Sequence, residues 1–363
     1  MAFNAIIVNA ASAILIPWAM SLSTEIQNAQ NVDATTAVEI GAGLGPNGQI
    51  GDFGGAVPAI SIWNAEGARL GQYMPPKGFK ITSGTSNQKP ITVTQNEGAS
   101  GQPEYIQLTS VDTDAICITY VAVSGNGVSW TWMGDVGYTC GADWYPSTAK
   151  FGSDNYQPKC AWIDSDHSDG LHYIAMSMHI PDFNGDAALV DEYNQDKDFL
   201  CNAKARMMMW GQLTVNPGYN SVPPMFSPPL EYNADGSDKD TSVLFKPGTV
   251  EKRDMSPPTN STTDGSINMP GHVIISDYMA HLASEVCESE TSRGPSFVST
   301  QEGVYCDMST KTSYPLCSAT VTNGCFDLDT KELVGKSRRH ARDLEAREVH
   351  KRYLTSDRWT PEQ

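Results

Sequence analysis

Eight cysteines, and where they fall, constrain this chain more than any other feature. Cys117, Cys140, Cys160 and Cys201 precede a proline-rich stretch, and Cys287, Cys306, Cys317 and Cys325 follow it. The split is four and four, with no C-x-x-C pair. Even counts on both sides point to two separately cross-linked modules made in an oxidising compartment, and away from zinc ribbons or thioredoxin-like chemistry. All eight are expected in disulfides, in a secreted, extracellular protein. In the second module the short spacings favour Cys287 with Cys306 and Cys317 with Cys325. The pairing of the first four stays open.

The strand pattern sets the fold class. Residues 57–212 read as short strands separated by turn signals, among them VPAISIW, KPITVTQ, YIQLTSV, AICITYVAV and VSWTWMG. The last two flank SGNG at 124–127, which has the chemistry of a tight hairpin. HYIAMSMHI at 172–180 is a further strand that places His172, Ile174, Met176 and Met178 on one face. No amphipathic helix separates these runs. The expectation is all-β: a disulfide-stabilised β-sandwich-like domain over 1–212 and a smaller Cys-rich β region over 271–335.

Between them, 213–270 holds nine prolines and two polar, Asp- and Ser-rich runs, and reads as a linker or long loop. Asn260 in N-S-T is a glycosylation sequon in that polar stretch. Residues 336–363 read as a basic tail, a solvated helix or disordered, with too few apolar residues to pack. At the other end, 3–20 is apolar, but no Lys or Arg precedes Arg69. It reads as a strand of the mature fold, with an atypical secretory signal as the alternative.

Charge narrows the partners. The chain carries a formal net charge of −18, and 336–363 hold eight Lys and Arg against five Asp and Glu, so the body is more acidic still. Such a body repels nucleic acid and anionic lipid, which leaves an extracellular protein or polysaccharide as the expected partner, with no membrane insertion.

Several residue sets bear on chemistry. Asp164, Asp166 and Asp169, in D-S-D-H-S-D-G, are hard oxygen ligands on a turn. They suit calcium, the one cofactor the sequence suggests, although the spacing departs from an EF-hand; the structural reading is a polar turn. His172 and His179 differ by an odd number on a strand and so suit no shared metal. Asp135, Asp143, Asp164 and Asp166 could supply the two carboxylates of a glycosidase. Trp130, Trp132 and Trp162 read as core. Trp144 and Tyr145 read as a loop edge able to contact a ligand, and with Asp143, Asp164 and Asp166 they form the candidate glycan site. No G-x-S-x-G is present and no cysteine stands out as a nucleophile. Lys252-Arg253, Arg338-Arg339 and Lys351-Arg352 are dibasic pairs in polar segments, open to cleavage, and a cut after Arg339 would shed most of the tail.

Three sets of blocks carry a resemblance: DAICITYVAV (114–123) with W-x-G-D-V-G-Y-x-C-G-A-D-W-Y-P-S (132–147); KCAWIDSDHSDG (159–170) with HIPDF (179–183); and SEVCESETSRGPSFVSTQEGVYCDMSTKTSYPLC (284–317) with CFDLDTKEL (325–333). Together they resemble a family of uncharacterised secreted proteins of filamentous ascomycete fungi, over roughly residues 57–335, with C-G-x-D-W-Y and E-G-x-x-C-D-M as the specific strings. The resemblance implies export and a disulfide-bonded β fold, and carries over no catalytic residue. The functional expectation is a secreted, non-catalytic interaction protein of the cell-surface or host-contact (effector-like) kind. A carbohydrate-binding or glycan-hydrolysing protein and a calcium-stabilised structural protein are the alternatives.

Overall fold

A computed structural model describes residues 35–43, 54–82, 90–96, 101–126, 128–151, 156–183, 185, 187–196, 198–213, 221–234, 237, 239, 271–336 and 347–361. The strand or signal at 3–20, the sequon at Asn260 and the pairs Lys252-Arg253 and Arg338-Arg339 lie outside the described residues. The chain divides into two compact units, parted between Ser261 and Thr262. Both are built mainly of strands, as the sequence pattern predicts.

The first unit runs β1 (Thr35–Ala42), β2 (Gly55–Ala56), β3 (Ala59–Trp63), β4 (Arg69–Tyr73), β5 (Lys80–Ile81), β6 (Ile91–Thr94), β7 (Tyr105–Thr109), β8 (Ile116–Gly125) and β9 (Val128–Met133). It continues with α1 (Gly134–Thr139), β10 (Trp144–Tyr145), β11 (Cys160–Ile163), β12 (Ala175–His179), α2 (Ala187–Gln195) and β13 (Met207–Trp210). One sheet has the order β10-β11-β8-β1-β6, with β9 also on β8; the other has the order β13-β12-β7-β3-β4. The expected hairpin joins β8 to β9, where Gly125 pairs with Val128 and Asn126 takes the left-handed conformation that an Asn-Gly turn supplies.

Side-chain alternation decides the layers. Val38 and Ile40 of β1, Ile118 and Val121 of β8, Ile60 and Ile62 of β3, Ile106 and Leu108 of β7, and Met176 and Met178 of β12 share one core between the two sheets. The opposite face of the second sheet is buried as well. Trp63 and Tyr105 pack with Ala203, Ala205 and Phe226, while Ala175, Met208 and Trp210 form another cluster. A third layer of chain therefore covers the outer face of this sheet. The expected strand start is corrected here: β12 begins at Ala175, and Ile174 packs with Met208 and Trp210, away from the face of Met176 and Met178.

The proline-rich stretch is also corrected at its near end. Phe226 is buried and its N–H donates to the Tyr105 hydroxyl at 3.0 Å, so 221–232 belongs to the first unit and supplies part of that third layer. Cys117 is bonded to Cys160 across neighbouring strands, and Cys140, at the end of α1, to Cys201 in the turn after α2.

The second unit holds β14 (His272–Ser276), α3 (Ala283–Glu288), β15 (Ser296–Ser299), β16 (Val304–Asp307), β17 (Thr312–Pro315), β18 (Cys325–Asp327), β19 (Glu332–Lys336), β20 (Arg347–Arg352) and β21 (Thr355–Trp359). A five-stranded sheet, β17-β16-β15-β14-β21, is parallel at β14/β15 and β14/β21 and antiparallel elsewhere; β18-β19-β20 is a second sheet. Val273, Ile275, Val298, Tyr305, Phe326, Leu333 and Tyr353 make its core. Cys287 is bonded to Cys306 and Cys317 to Cys325, the pairings that the spacing favours.

The tail differs from its expectation. Residues 347–359 are two strands inside these sheets, with Tyr353 and Trp359 buried. Lys351-Arg352 closes β20, Lys351 is paired with Asp307 at 2.5 Å and Arg352 with Glu332, so this dibasic pair is not an open cleavage site. Among the described residues, no helix is long and apolar enough to cross a membrane.

Candidate functional site

The sequence-derived glycan site is not a surface. β10 pairs with β11, Trp144 opposite Ala161 and Tyr145 opposite Cys160, and both aromatic side chains are fully buried. Trp144 meets the Tyr138 ring edge-on at 4.8 Å, and the Lys159 ammonium lies over both rings at 5.2 and 4.5 Å. The loop-edge reading of Trp144 and Tyr145 is thereby corrected: two strand residues beside a disulfide are core, as Trp130, Trp132 and Trp162 are. Asp143 is buried too. Its carboxylate accepts the backbone N–H of His172 at 2.6 Å and faces His172 Nδ1 at 2.8 Å, which ties β10 to the approach of β12. Burial pushes the Asp135 carboxyl up, against the opposing pull of Lys159.

Asp164 and Asp166 do come together. Asp164 is buried at the end of β11 and its Oδ2 accepts the N–H and hydroxyl of Ser168 at 2.7 and 3.1 Å; Asp166 Oδ1 accepts the same N–H at 3.0 Å. Burial, and then the neighbouring Asp166, push Asp164 up to about 7. Burial works against charge on Asp166, but hydrogen bonds from Asp164 and Ser168 outweigh it and hold Asp166 low. In the range below about 7, Asp164 is thus a carboxylic acid beside the Asp166 carboxylate. The placement of the Asp169 side chain lies outside the described residues. Among the described residues no group of three or more His, Cys, Asp or Glu is arranged to hold a metal ion.

Two contacts in the second unit pair a serine with a base. Ser276 Oγ lies 2.7 Å from His281 Nδ1, and Ser292 Oγ contacts Lys311 Nζ. Both serines are fully buried. Tyr278, Phe297 and Trp359 surround His281. Lys311 donates to the carbonyls of Ser292 and Val286, at 2.9 and 3.4 Å, in the manner of a C-terminal cap on α3. These are structural contacts.

What lies open is a groove that the sequence did not reveal. The short β2/β5 pairing, Gly55 with Ile81 and Ala56 with Lys80, projects 74–80 from the first unit. Pro75 and Pro76 stiffen that projection, and Gly78, at φ +76°, turns it. A second wall, 111–114, is fixed by the Lys80–Asp114 ion pair at 2.8 Å and by the Ser165 hydroxyl, which donates to the Asp112 carbonyl at 2.6 Å. Between the walls is a groove of about 400 Å³ lined by Val57, Met74, Pro75, Phe79 and Val111, with Lys77 and Asp112 at its edge. Met74, Phe79 and Val111 are 44%, 39% and 39% exposed, and they are three of the four large exposed hydrophobic side chains among the described residues of this unit. Their clustering in one concavity separates them from the scattered apolar residues of an ordinary surface. Single residues carried no signal for this, because the lining comes from four separate segments.

The other assembled feature is a charge cluster in which His179, Asp182 and Arg206 are buried and Glu104 and Tyr232 half-buried. Arg206 Nη1 and the Tyr232 hydroxyl donate to Asp182 Oδ1, both at 2.6 Å. His179 Nδ1 faces Asp182 Oδ2 at 3.1 Å and Nε2 faces Glu104 Oε2 at 3.4 Å. Asp182 is held low by Arg206 and His179 in spite of its burial. Only the H-I-P-D spacing hinted at it. Compared with known proteins, the chain matches no family model and no curated protein.

Proposed function

We propose that the protein is a secreted, non-catalytic interaction protein, and that the groove between 74–80 and 111–114 receives an apolar segment of an extracellular protein partner. Four disulfides in two units suit export and persistence in an oxidising exterior. The observation that carries the reading is the clustering of exposed Met74, Phe79 and Val111 along one groove. Large apolar side chains kept in water are an energetic burden that a partner relieves, and aromatic residues and Met are enriched in the buried centres of protein interfaces. The burial of Trp144, Tyr145 and Asp143 removes the main support for a glycan platform.

The test places a photo-crosslinking phenylalanine analogue at position 79 of the oxidised protein and exposes it to extracellular proteins, beside a panel of insoluble chitin, β-glucan, cellulose and xylan. Discrete protein adducts that disappear in Met74→Asp, with no retention on the polysaccharides, are the expected result. Retention on a polysaccharide, or adducts indifferent to Met74→Asp, would overturn the reading.

A further inference from the structure

The strap at 221–232 crosses the outer face of the second sheet and ends on the charge cluster. We infer that this strap is a pH-governed latch, closed while His179 is an imidazolium and loosened when that proton is lost, so that the apolar face formed by Trp63 and Tyr105 is uncovered in alkaline surroundings and kept covered in acidic ones.

The argument starts from charge balance. Asp182, fully buried, and the half-buried Glu104 bring two negative charges around His179, and Arg206 brings one positive charge. A neutral imidazole would leave a net negative charge there, and an uncompensated buried charge is costly. An imidazolium at His179 closes the balance. The contacts agree with that state: Nε2 lies 3.4 Å from Glu104 Oε2, and Nδ1 lies 3.1 Å from Asp182 Oδ2 and 3.2 Å from the Tyr232 oxygen, so each ring nitrogen has an oxygen toward which a hydrogen can be directed.

The strap depends on that proton. Tyr232 donates its hydroxyl hydrogen to Asp182 Oδ1, and its oxygen lies 3.2 Å from His179 Nδ1, where it receives a share of the Nδ1 hydrogen. The two rings stack, with 10° between their planes and centroids 6.2 Å apart. Phe226, further back on the strap, meets the His179 ring edge-on at 5.6 Å and lies under the Arg206 guanidinium at 5.3 Å. Tyr105 is the remaining titratable neighbour, its ring 4.8 Å from that of His179. Burial holds its phenol far above the ordinary range, so it stays neutral throughout.

The direction follows. Burial alone would lower the affinity of His179 for its proton, but Asp182 and Glu104 outweigh it, and the group titrates above its ordinary value of 6.5. Its contribution to folding is fully present below that value and is lost as pH rises through the higher, folded one. Asp182 is held low, so its contribution is lost only as strongly acidic conditions protonate it. The strap is tightest in mildly acidic solution.

Hydrogen exchange of the full oxidised chain, corrected for intrinsic rates, tests this at about pH 5.5 and about pH 9. Protection of 221–232 should fall on the order of tenfold or more between the two, while β1 and β8 keep theirs. Tyr232→Phe, which leaves the sheet residues untouched, should lower strap protection at the acidic pH and shrink the difference. His179→Gln should abolish it. Equal strap protection at both pH values, loss in step with β1 and β8, or a Tyr232→Phe profile identical to the parent would each overturn the inference.

Discussion

At the scale of single residues, the acidic loop shows how much burial decides. The sequence presents Asp164, Asp166 and Asp169 as equivalent oxygens on a turn. The fold puts Asp164 inside and Asp166 outside, and that difference sends their affinities for a proton in opposite directions. Asp164 keeps its proton to about 7 when folded and loses it near 3.8 when unfolded. The folded state therefore holds an extra proton across that window, so stability falls as pH rises through it and then levels. Asp166 acts with the opposite sign and only toward lower pH. Asp164→Asn should flatten the upper slope, read as urea midpoints over a pH series; an unchanged slope would sink the account of a buried, protonated Asp164. Trp144 gives a second expectation. As a core side chain, its replacement in Trp144→Ala should cost about 3–5 kcal/mol in urea unfolding. A loss under about 1 kcal/mol would return it to the surface.

At the scale of elements, the strands and the hairpin were legible because period-two alternation and the Asn-Gly turn are local signals. The burial of both faces of β3 and β7 was not, because their second cover comes from Ala203, Ala205 and Phe226, remote in sequence. The same holds for Tyr232 and Arg206, whose partner Asp182 lies in another segment, and for the parallel β14/β15 pairing across α3. Proline content marked 213–270 as irregular chain, but irregular chain can still pack. The disulfide Cys140–Cys201 belongs to this scale, since it ties the end of α1 to the turn that follows α2 and thereby closes a long loop. Closing a loop with a separation of 61 residues is worth about 4 kcal/mol through the unfolded chain. The double variant Cys140→Ala, Cys201→Ala should lose about that much in denaturant, and a loss below about 1 kcal/mol would show that the non-covalent packing alone holds these helices.

At the scale of the whole molecule, charge segregation takes on a different meaning once the tail is placed. A basic segment following an acidic body reads in sequence as a solvated appendage, because alternating charges and sparse apolar residues do not reveal partners across a sheet. Among the described residues three of those basic groups meet acidic partners. Lys351 meets Asp307, Arg352 meets Glu332, and Arg358 reaches Asp277 at 2.8 Å. The apolar contribution is small in number but central in position. Tyr353 joins the core of the second unit, with its hydroxyl 2.6 Å from that of Tyr305, and Trp359 packs on Phe297 and His281. β21 is one edge of the five-stranded sheet and β20 one edge of the three-stranded sheet, so the segment stitches the two together. The nearest disulfide ends at Cys325, which leaves strand pairing and packing alone to hold it. A chain ending at residue 346 should therefore lose more than a solvated tail would take with it. Its β14 would be left without a parallel neighbour on one side, β19 would keep only β18 of its two partners, and the cavities left by Tyr353 and Trp359 would each cost about 3–5 kcal/mol, comparable to the stability of a small domain. Hydrogen exchange should show β14, β15 and β19 unprotected in the truncated protein and protected in the full chain. Trp359→Ala should give a graded version of the same loss. Full protection of β14 and β19 after truncation would mean that the tail is an ornament on a self-sufficient sheet, and the charge matching an accident of a surface rich in acids.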